Sequence, residues 1–124
     1  MMVKVEAIVR EECLEDAKDA LMGIGVRGLT VSQVMGCGTQ MGYKRRVRGT
    51  SVSMNMLPKV KLEIVVSDEE WADRAVRAIC EAARTGEVGD GKIFAYRVDR
   101  AVRIRTGEEG IAAIQPGPAV EERD

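Results

Sequence analysis

The chain has 124 residues, of which 45% are hydrophobic and 31% charged, with a formal net charge of −1. That is the size and balance of one globular domain with a real core, and a charge so close to zero gives no general attraction to nucleic acid or to an anionic membrane. No apolar run reaches the length of a membrane span, and Lys4, Glu6 and Arg10 interrupt the first strand-like stretch where a signal peptide would be continuously apolar.

In chain order, "MVKVEAIVR" places Val3, Val5, Ala7 and Val9 on one face and predicts a half-buried strand. "EECLEDAKDALMGIG" puts Leu14, Ala17, Leu21 and Ile24 at helical spacing, with Gly23 and Gly25 as stop signals. "GLTVSQVMG" is rich in β-branched residues and predicts a second strand, and "VKLEIVVS" predicts a third, with Val60, Leu62, Ile64 and Val66 on one face. Ser67 and Glu70 read as an S-x-x-E capping box that opens a helix with Ala72, Ala75, Val76, Ile79, Cys80 and Ala83 along one stripe. Trp71 reads as packing at that helix start. "KIFAYRV" predicts the fourth strand. Two βαβ units in this order predict an α+β, ferredoxin-like four-stranded antiparallel sheet with both helices on one face. The opposite sheet face is then expected to be too apolar for water and to be buried in a homo-oligomer.

Three segments fall outside this pattern. Residues 36–58 form an interval of about twenty residues, unusual in a compact domain unless functional or disordered, and it carries the basic run "YKRRVR". It reads either as a solvated loop or as an arm presented to a protein, an anionic ligand or a membrane surface. The end, "IQPGPAVEERD", contains Pro116 and Pro118 and finishes in charge, so residues 1–114 are expected to form the domain and 115–124 a flexible tail. The third segment, "TGEVGDGKIF", has three glycines, an aspartate and a lysine between helix and strand. Glycines let a ligand approach the main chain, and backbone N–H groups beside a lysine suit a phosphate. Because Ile93 follows Lys92, the string is not a G-x-x-x-x-G-K-S/T phosphate loop. Alone it is either another kind of nucleotide site or a turn.

The chemistry-bearing inventory is short. There is no histidine, the usual acid–base group at neutral pH. Cys13, Cys37 and Cys80 lack metal-ligand spacing and read as reduced thiols in a cytoplasmic protein. No residue pair reads as a general base with an activated water, so an enzyme is not expected.

Several strings taken together, "GVRGLTV", "GCGTQMG", "RGTSVSMNMLPKVKLEIVV", "EAARTGEVGDGKIF" and "VRIRTGEEG", resemble the PII family of nitrogen-regulatory signal proteins in order and over most of the chain. The resemblance implies a homotrimer with nucleotide sites in the clefts between subunits and a long partner-reading T-loop at about 38–57. It implies that Gly89, Asp90, Gly91 and Lys92 wrap the phosphates of ATP or ADP, with Arg103 and Arg105 reaching them from the neighbouring subunit. Arginine forks and a lysine charge suit that ligand, and the two arginines are expected to alternate on one strand face. Ile8, Gly28, Thr30, Glu63 and Val65 correspond to residues around the adenine. Gly36, Cys37, Gly38, Thr39 and Gln40 match the base of the T-loop beside the nucleotide. For 2-oxoglutarate the matched positions are Arg10, Gly38, Gln40, Met41, Gly42 and Lys59, with Gln40 coordinating a Mg²⁺ shared by ATP and the 2-oxo acid. A glutamate on a strand face needs a partner if buried, which an adenine amino group can supply, or else it faces solvent.

The sequence departs from the family pattern in the T-loop. Where relatives controlled by uridylylation carry Y-R-G-x-x-Y, this chain reads "VRGTSV", and Val47 and Val52 have no hydroxyl to modify. Ser51 is the neighbouring hydroxyl that could accept a phosphate. Thr39 and Met41 replace the basic residues of G-R-Q-K-G, which bears on 2-oxoglutarate more than on the nucleotide. Tyr43, Lys44, Arg45, Arg46, Arg48 and Ser51 form the expected partner-facing surface, and a changed loop charge implies a changed partner. The resulting expectation is a regulator of a target protein, foremost a membrane transporter. The alternative is an ATP/ADP energy-charge sensor, insensitive to 2-oxoglutarate, that acts on a soluble enzyme. An RNA-binding module of the same fold is disfavoured, since the strands lack stacking aromatics and the net charge is negative.

Overall fold

The structure is a computed structural model that describes residues 1–39 and 54–115. The elements are β1 (Val3–Arg10), a 3-10 turn (Glu11–Cys13), α1 (Leu14–Gly23), β2 (Thr30–Thr39), β3 (Met54–Val66), α2 (Glu69–Ala83), β4 (Gly91–Arg97) and a one-turn α3 (Ile111–Ile114). The sheet order is β2-β3-β1-β4 and every neighbouring pair is antiparallel, as the α+β ferredoxin-like expectation requires.

The period-2 alternation of β1 and β3 decides where the core lies. Register pairs Val5 with Ile64, Ala7 with Leu62 and Val9 with Val60, so the apolar residues of both strands share one face. α1 and α2 cover that face with Ala17, Leu21, Ala75 and Ile79, all at most 2% exposed. Alanine at positions 17 and 75 adds no bulk beyond Cβ, while Leu21 and Leu62 supply the volume. Full burial of a leucine stabilises by about 1.5–3 kcal/mol.

The other sheet face corrects an expectation. It is not too apolar for water: the alternate positions carry Lys4, Glu6, Lys61 and Glu63. Lys4 lies 3.6 Å from Glu63, and Lys61 lies 3.7 Å from Glu63 and 4.0 Å from Glu6. The Tyr96 hydroxyl donates to Glu6 at 3.2 Å. The same alternation that gathers Val60, Leu62 and Ile64 inside puts Lys59, Lys61 and Glu63 outside. Glu63 therefore has two lysine partners within its own chain.

Two local readings also change. The cap of α2 is Asp68, whose carboxylate accepts from the Trp71 N–H at 2.9 Å, one residue later than the Ser67–Glu70 box predicts. A carboxylate at this place also faces the positive end of the helix dipole. Trp71 packs at the edge of the core with the Arg74 guanidinium 4.4 Å from its ring centroid. Further on, "VRIRTG" is not a strand. Val102 makes a single bridge to Glu109, and the chain turns between them as the Arg103 N–H donates to Glu108 O at 2.8 Å and the Gly107 N–H to Arg103 O at 2.7 Å. Arg103 and Arg105 thus do not alternate on a strand face. No helix among the described residues is long and apolar enough to cross a membrane.

Replacing Asp68 with alanine is expected to destabilise the fold by about 0.5–2 kcal/mol, whereas Ser67→Ala has an effect near zero. Denaturant titration of both variants checks this, and a larger loss for Ser67→Ala would restore the capping box.

Candidate functional site

The loop that joins α2 to β4 is organised by Asp90. Its carboxylate accepts from the Thr85 hydroxyl, from the Thr85 N–H at 2.8 Å, from the Gly86 N–H at 2.9 Å and from Arg10 Nε at 3.1 Å. The Thr85 hydroxyl above all, then the Thr85 N–H, hold the carboxyl well below the usual carboxylate range, with Gly86 and Arg10 adding and desolvation opposing. The stability this brings is in place above the unfolded carboxylate pKa of about 3.9 and is lost as pH falls below it, through the depressed folded value. Thr85 is a residue that sequence reasoning missed as a contributor. Its cue is an Asp five residues after a Thr in a glycine-rich loop.

Two glycines make the loop's path possible. Gly91 has φ +106°, and a Cβ there would stand 1.8 Å from the carbonyl oxygen of Ile8 in the adjacent β1. Only a residue without a side chain lets β4 begin in register with Val9 at this point. Gly89, at φ +102°, faces two cations: a Cβ on it would stand 3.4 Å from Arg10 Nη2 and 3.8 Å from Lys59 Nζ.

Arg10 and Lys59 are cross-strand partners at the same end of the sheet. Arg10 Nη2 donates to Val88 O at 2.9 Å, and Lys59 Nζ donates to Gly89 O. The Lys59 stem lies across β2 at Gly36, where a Cβ would come within 3.2 Å of its Cγ. Beside the loop, a groove of about 350 Å³ runs between α2 and β4, with Ile8, Arg84, Asp90, Gly91 and Lys92 at one side and Val76, Ile79 and Ile93 as its apolar wall.

A second cavity, of about 220 Å³, lies at the opposite end of the sheet and is lined by Val26, Gly28, Val65, Ser67, Trp71, Ile114 and their neighbours. Thr30 and Glu63 pair in register close by. Arg103 is 19% exposed and lies 3.4 Å from Glu108, while its Nη2 donates to Ala112 O at 3.0 Å and to Gln115 O. Gln115 itself lines the cavity, so the first residue assigned to a flexible tail is part of this wall. Arg105 is exposed.

The expected site residues therefore fall into two groups. Ile8, Arg10, Gly36, Lys59 and Gly89 to Lys92 meet at one end, and Gly28, Thr30, Glu63, Val65 and Arg103 meet at the other. From Lys59 to Val65 along β3 is about 20 Å at roughly 3.4 Å per residue. Cys37 and Gly38 are exposed on β2, opposite Met56 and Asn55, and Thr39 pairs with Met54, so the two ends of the expected 38–57 loop are strand. Gln40, Met41, Gly42, Tyr43, Lys44, Arg45, Arg46, Arg48 and Ser51 lie outside the described residues.

The two glycine positions separate steric from conformational cost. Gly91→Ala is expected to lose more than about 3 kcal/mol, because the β1–β4 register must yield. Gly86→Ala, which meets nothing within 4 Å at φ +88°, should lose only about 1–2 kcal/mol. Denaturant titration of both proteins tests the contrast, and equal losses would contradict it.

The chain matches the model of the family described as "Nitrogen regulatory protein P-II" over residues 2–108. It is 57% identical over 113 residues to nitrogen regulatory protein P-II 1 of Methanothermobacter thermautotrophicus, covering 91% of this chain and 97% of that one. Among solved structures, it is similar to the B. subtilis GlnK-ATP complex at TM-score 0.75 and 38% identity, covering 90% of this chain and 94% of that one. It is also similar to Arabidopsis thaliana PII bound to citrate at TM-score 0.71 and 42% identity, covering 90% and 91%. The sheet order, the glycine loop and this extent of similarity agree: the chain belongs to the nitrogen regulatory protein P-II family.

Proposed function

We propose that this protein is a signal-transducing regulator that binds ATP or ADP in clefts between the subunits of a homotrimer and acts on a target protein through residues 38–57. The observation that carries the reading is the Asp90-centred loop. It offers glycines at positive φ, a lysine and backbone N–H groups at one place, beside Arg10 and Lys59. Arg103 lies near the cavity at the other end of the sheet, which supports a cleft where the two groups come from different subunits. The ATP held by the similar B. subtilis GlnK supports an adenine nucleotide here.

The chain is read as a regulator and not an enzyme. Asp90, the loop acid beside the glycines and Lys92, is occupied by loop donors and held well below the usual range, which makes it a poor general base. If Mg²⁺ accompanies the nucleotide, Gln40 would be the residue to hold it through its amide oxygen, and the ion would supply neutralisation of phosphate charge. The target is proposed to be a membrane transporter that this cytoplasmic protein meets through Tyr43, Lys44, Arg45, Arg46, Arg48 and Ser51. A second reading, an energy-charge sensor indifferent to 2-oxoglutarate that acts on a soluble enzyme, is favoured by one observation. Arg10 and Lys59, the expected partners of the 2-oxo acid, are both bonded to the loop.

Calorimetric titration with ATP and with ADP, each with and without Mg²⁺ and 2-oxoglutarate, tests both. Saturable ATP and ADP binding is expected, and ATP binding tightened by Mg²⁺ and 2-oxoglutarate supports the first reading. Binding indifferent to the 2-oxo acid moves the conclusion to the second. No nucleotide binding at all would sink both.

A further inference from the structure

We propose that Arg10 and Lys59 are positioning residues for the nucleotide, forming a latch that turns the loop's N–H groups toward phosphate before any acid ligand arrives. The inference rests on the nucleotide reading above and deepens it. It starts from where the two cations are bonded. Arg10 reaches Val88 O at 2.9 Å as well as the Asp90 carboxylate at 3.1 Å, and Lys59 reaches Gly89 O.

In a trans peptide the C=O and the following N–H point in opposite directions. Holding Val88 O against Arg10 therefore aims the Gly89 N–H away from Arg10, and holding Gly89 O against Lys59 does the same for the Asp90 N–H. Neither N–H donates to an acceptor among the described residues. Two successive N–H groups with their carbonyls turned back make a concave anion-binding nest. Gly89 at φ +102° is the residue that permits this turn. The latch also bridges three strands, because Arg10 lies on β1, Lys59 on β3, and the loop runs directly into β4. A change in either cation is thus transmitted to the phosphate nest through two carbonyl oxygens, without contact between cation and phosphate.

The test uses the full chain in the absence of any 2-oxo acid. Lys59→Met and Arg10→Met retain the apolar stems and remove the donors, and ATP and adenosine are titrated against each variant. Lys59→Met, which loses one charge-assisted hydrogen bond, is expected to bind ATP about tenfold more weakly, and Arg10→Met, which loses two, at least as weakly, while adenosine binding is unchanged in both. Amide hydrogen exchange of the nucleotide-free variants should quicken over residues 85–91 and stay unchanged in β1 and β3, a pattern that general destabilisation does not give. Lys59→Arg, which keeps a donor for Gly89 O, should restore both readouts. If the unaltered protein binds ATP and the variants bind it equally well with unchanged loop exchange, the latch is wrong and the residues serve an acid ligand alone. If the unaltered protein binds no ATP, the nucleotide reading itself has failed and the proposal falls with it.

Discussion

Asp90 is the point on which the loop between α2 and β4 depends. One carboxylate collects the hydroxyl and N–H of Thr85, the N–H of Gly86 and the guanidinium of Arg10. These donors come from the end of α2 and the end of β1, which otherwise meet only through the core. A carboxylate that accepts several N–H and O–H donors strongly prefers its charged form, so the arrangement persists across neutral and mildly acidic pH. Gly91 then brings β4 against β1 at a distance that any Cβ would forbid. These two constraints, one electrostatic and one steric, anchor the loop at both ends. Its chemistry follows from the shape.

The sheet separates two groups of candidate site residues. β1 and β3 run the length of the domain, with the glycine loop, Arg10 and Lys59 at one extremity and the cavity beside Gly28 and Val65 at the other. Between them, on the face away from the helices, lies the network of Lys4, Glu6, Lys61 and Glu63. Ion pairs at this level of exposure contribute little stability, about 0–1 kcal/mol each, and they share this face with half-exposed Phe94 and Tyr96. In the proposed trimer, the contact between subunits would bring the glycine-loop end of one chain to the Gly28 end of its neighbour.

Much of this was legible in the sequence. The alternation of Val3, Val5, Ala7 and Val9, and of Val60, Leu62, Ile64 and Val66, identified both central strands and their buried face, because period-2 patterning is a direct consequence of the pleat. The stripe of Ala72, Ala75, Ile79 and Ala83 identified α2 in the same way. What was not legible depended on contacts between distant residues. Ser67 and Asp68 are both good caps, and the choice falls to the residue whose carboxylate reaches the Trp71 N–H. The alternation in "VRIRTG" looks like a strand, yet a turn closed by Arg103, Gly107 and Glu108 takes precedence. Thr85 and Arg10 act on Asp90 from five and eighty positions away, and only the folded sheet brings Arg10 to that loop.

The central proposal is that the two ends of one sheet belong to two different nucleotide sites. Co-assembly of a Lys92→Ala variant with an Arg103→Ala variant tests it most directly, with ATP binding measured for each variant alone and for the mixture. Each alone should bind weakly. Random equal mixing into trimers should restore native affinity in roughly a quarter of the clefts, those where an intact Lys92 meets an intact Arg103. A mixture that binds no better than either variant alone would contradict a site shared between subunits.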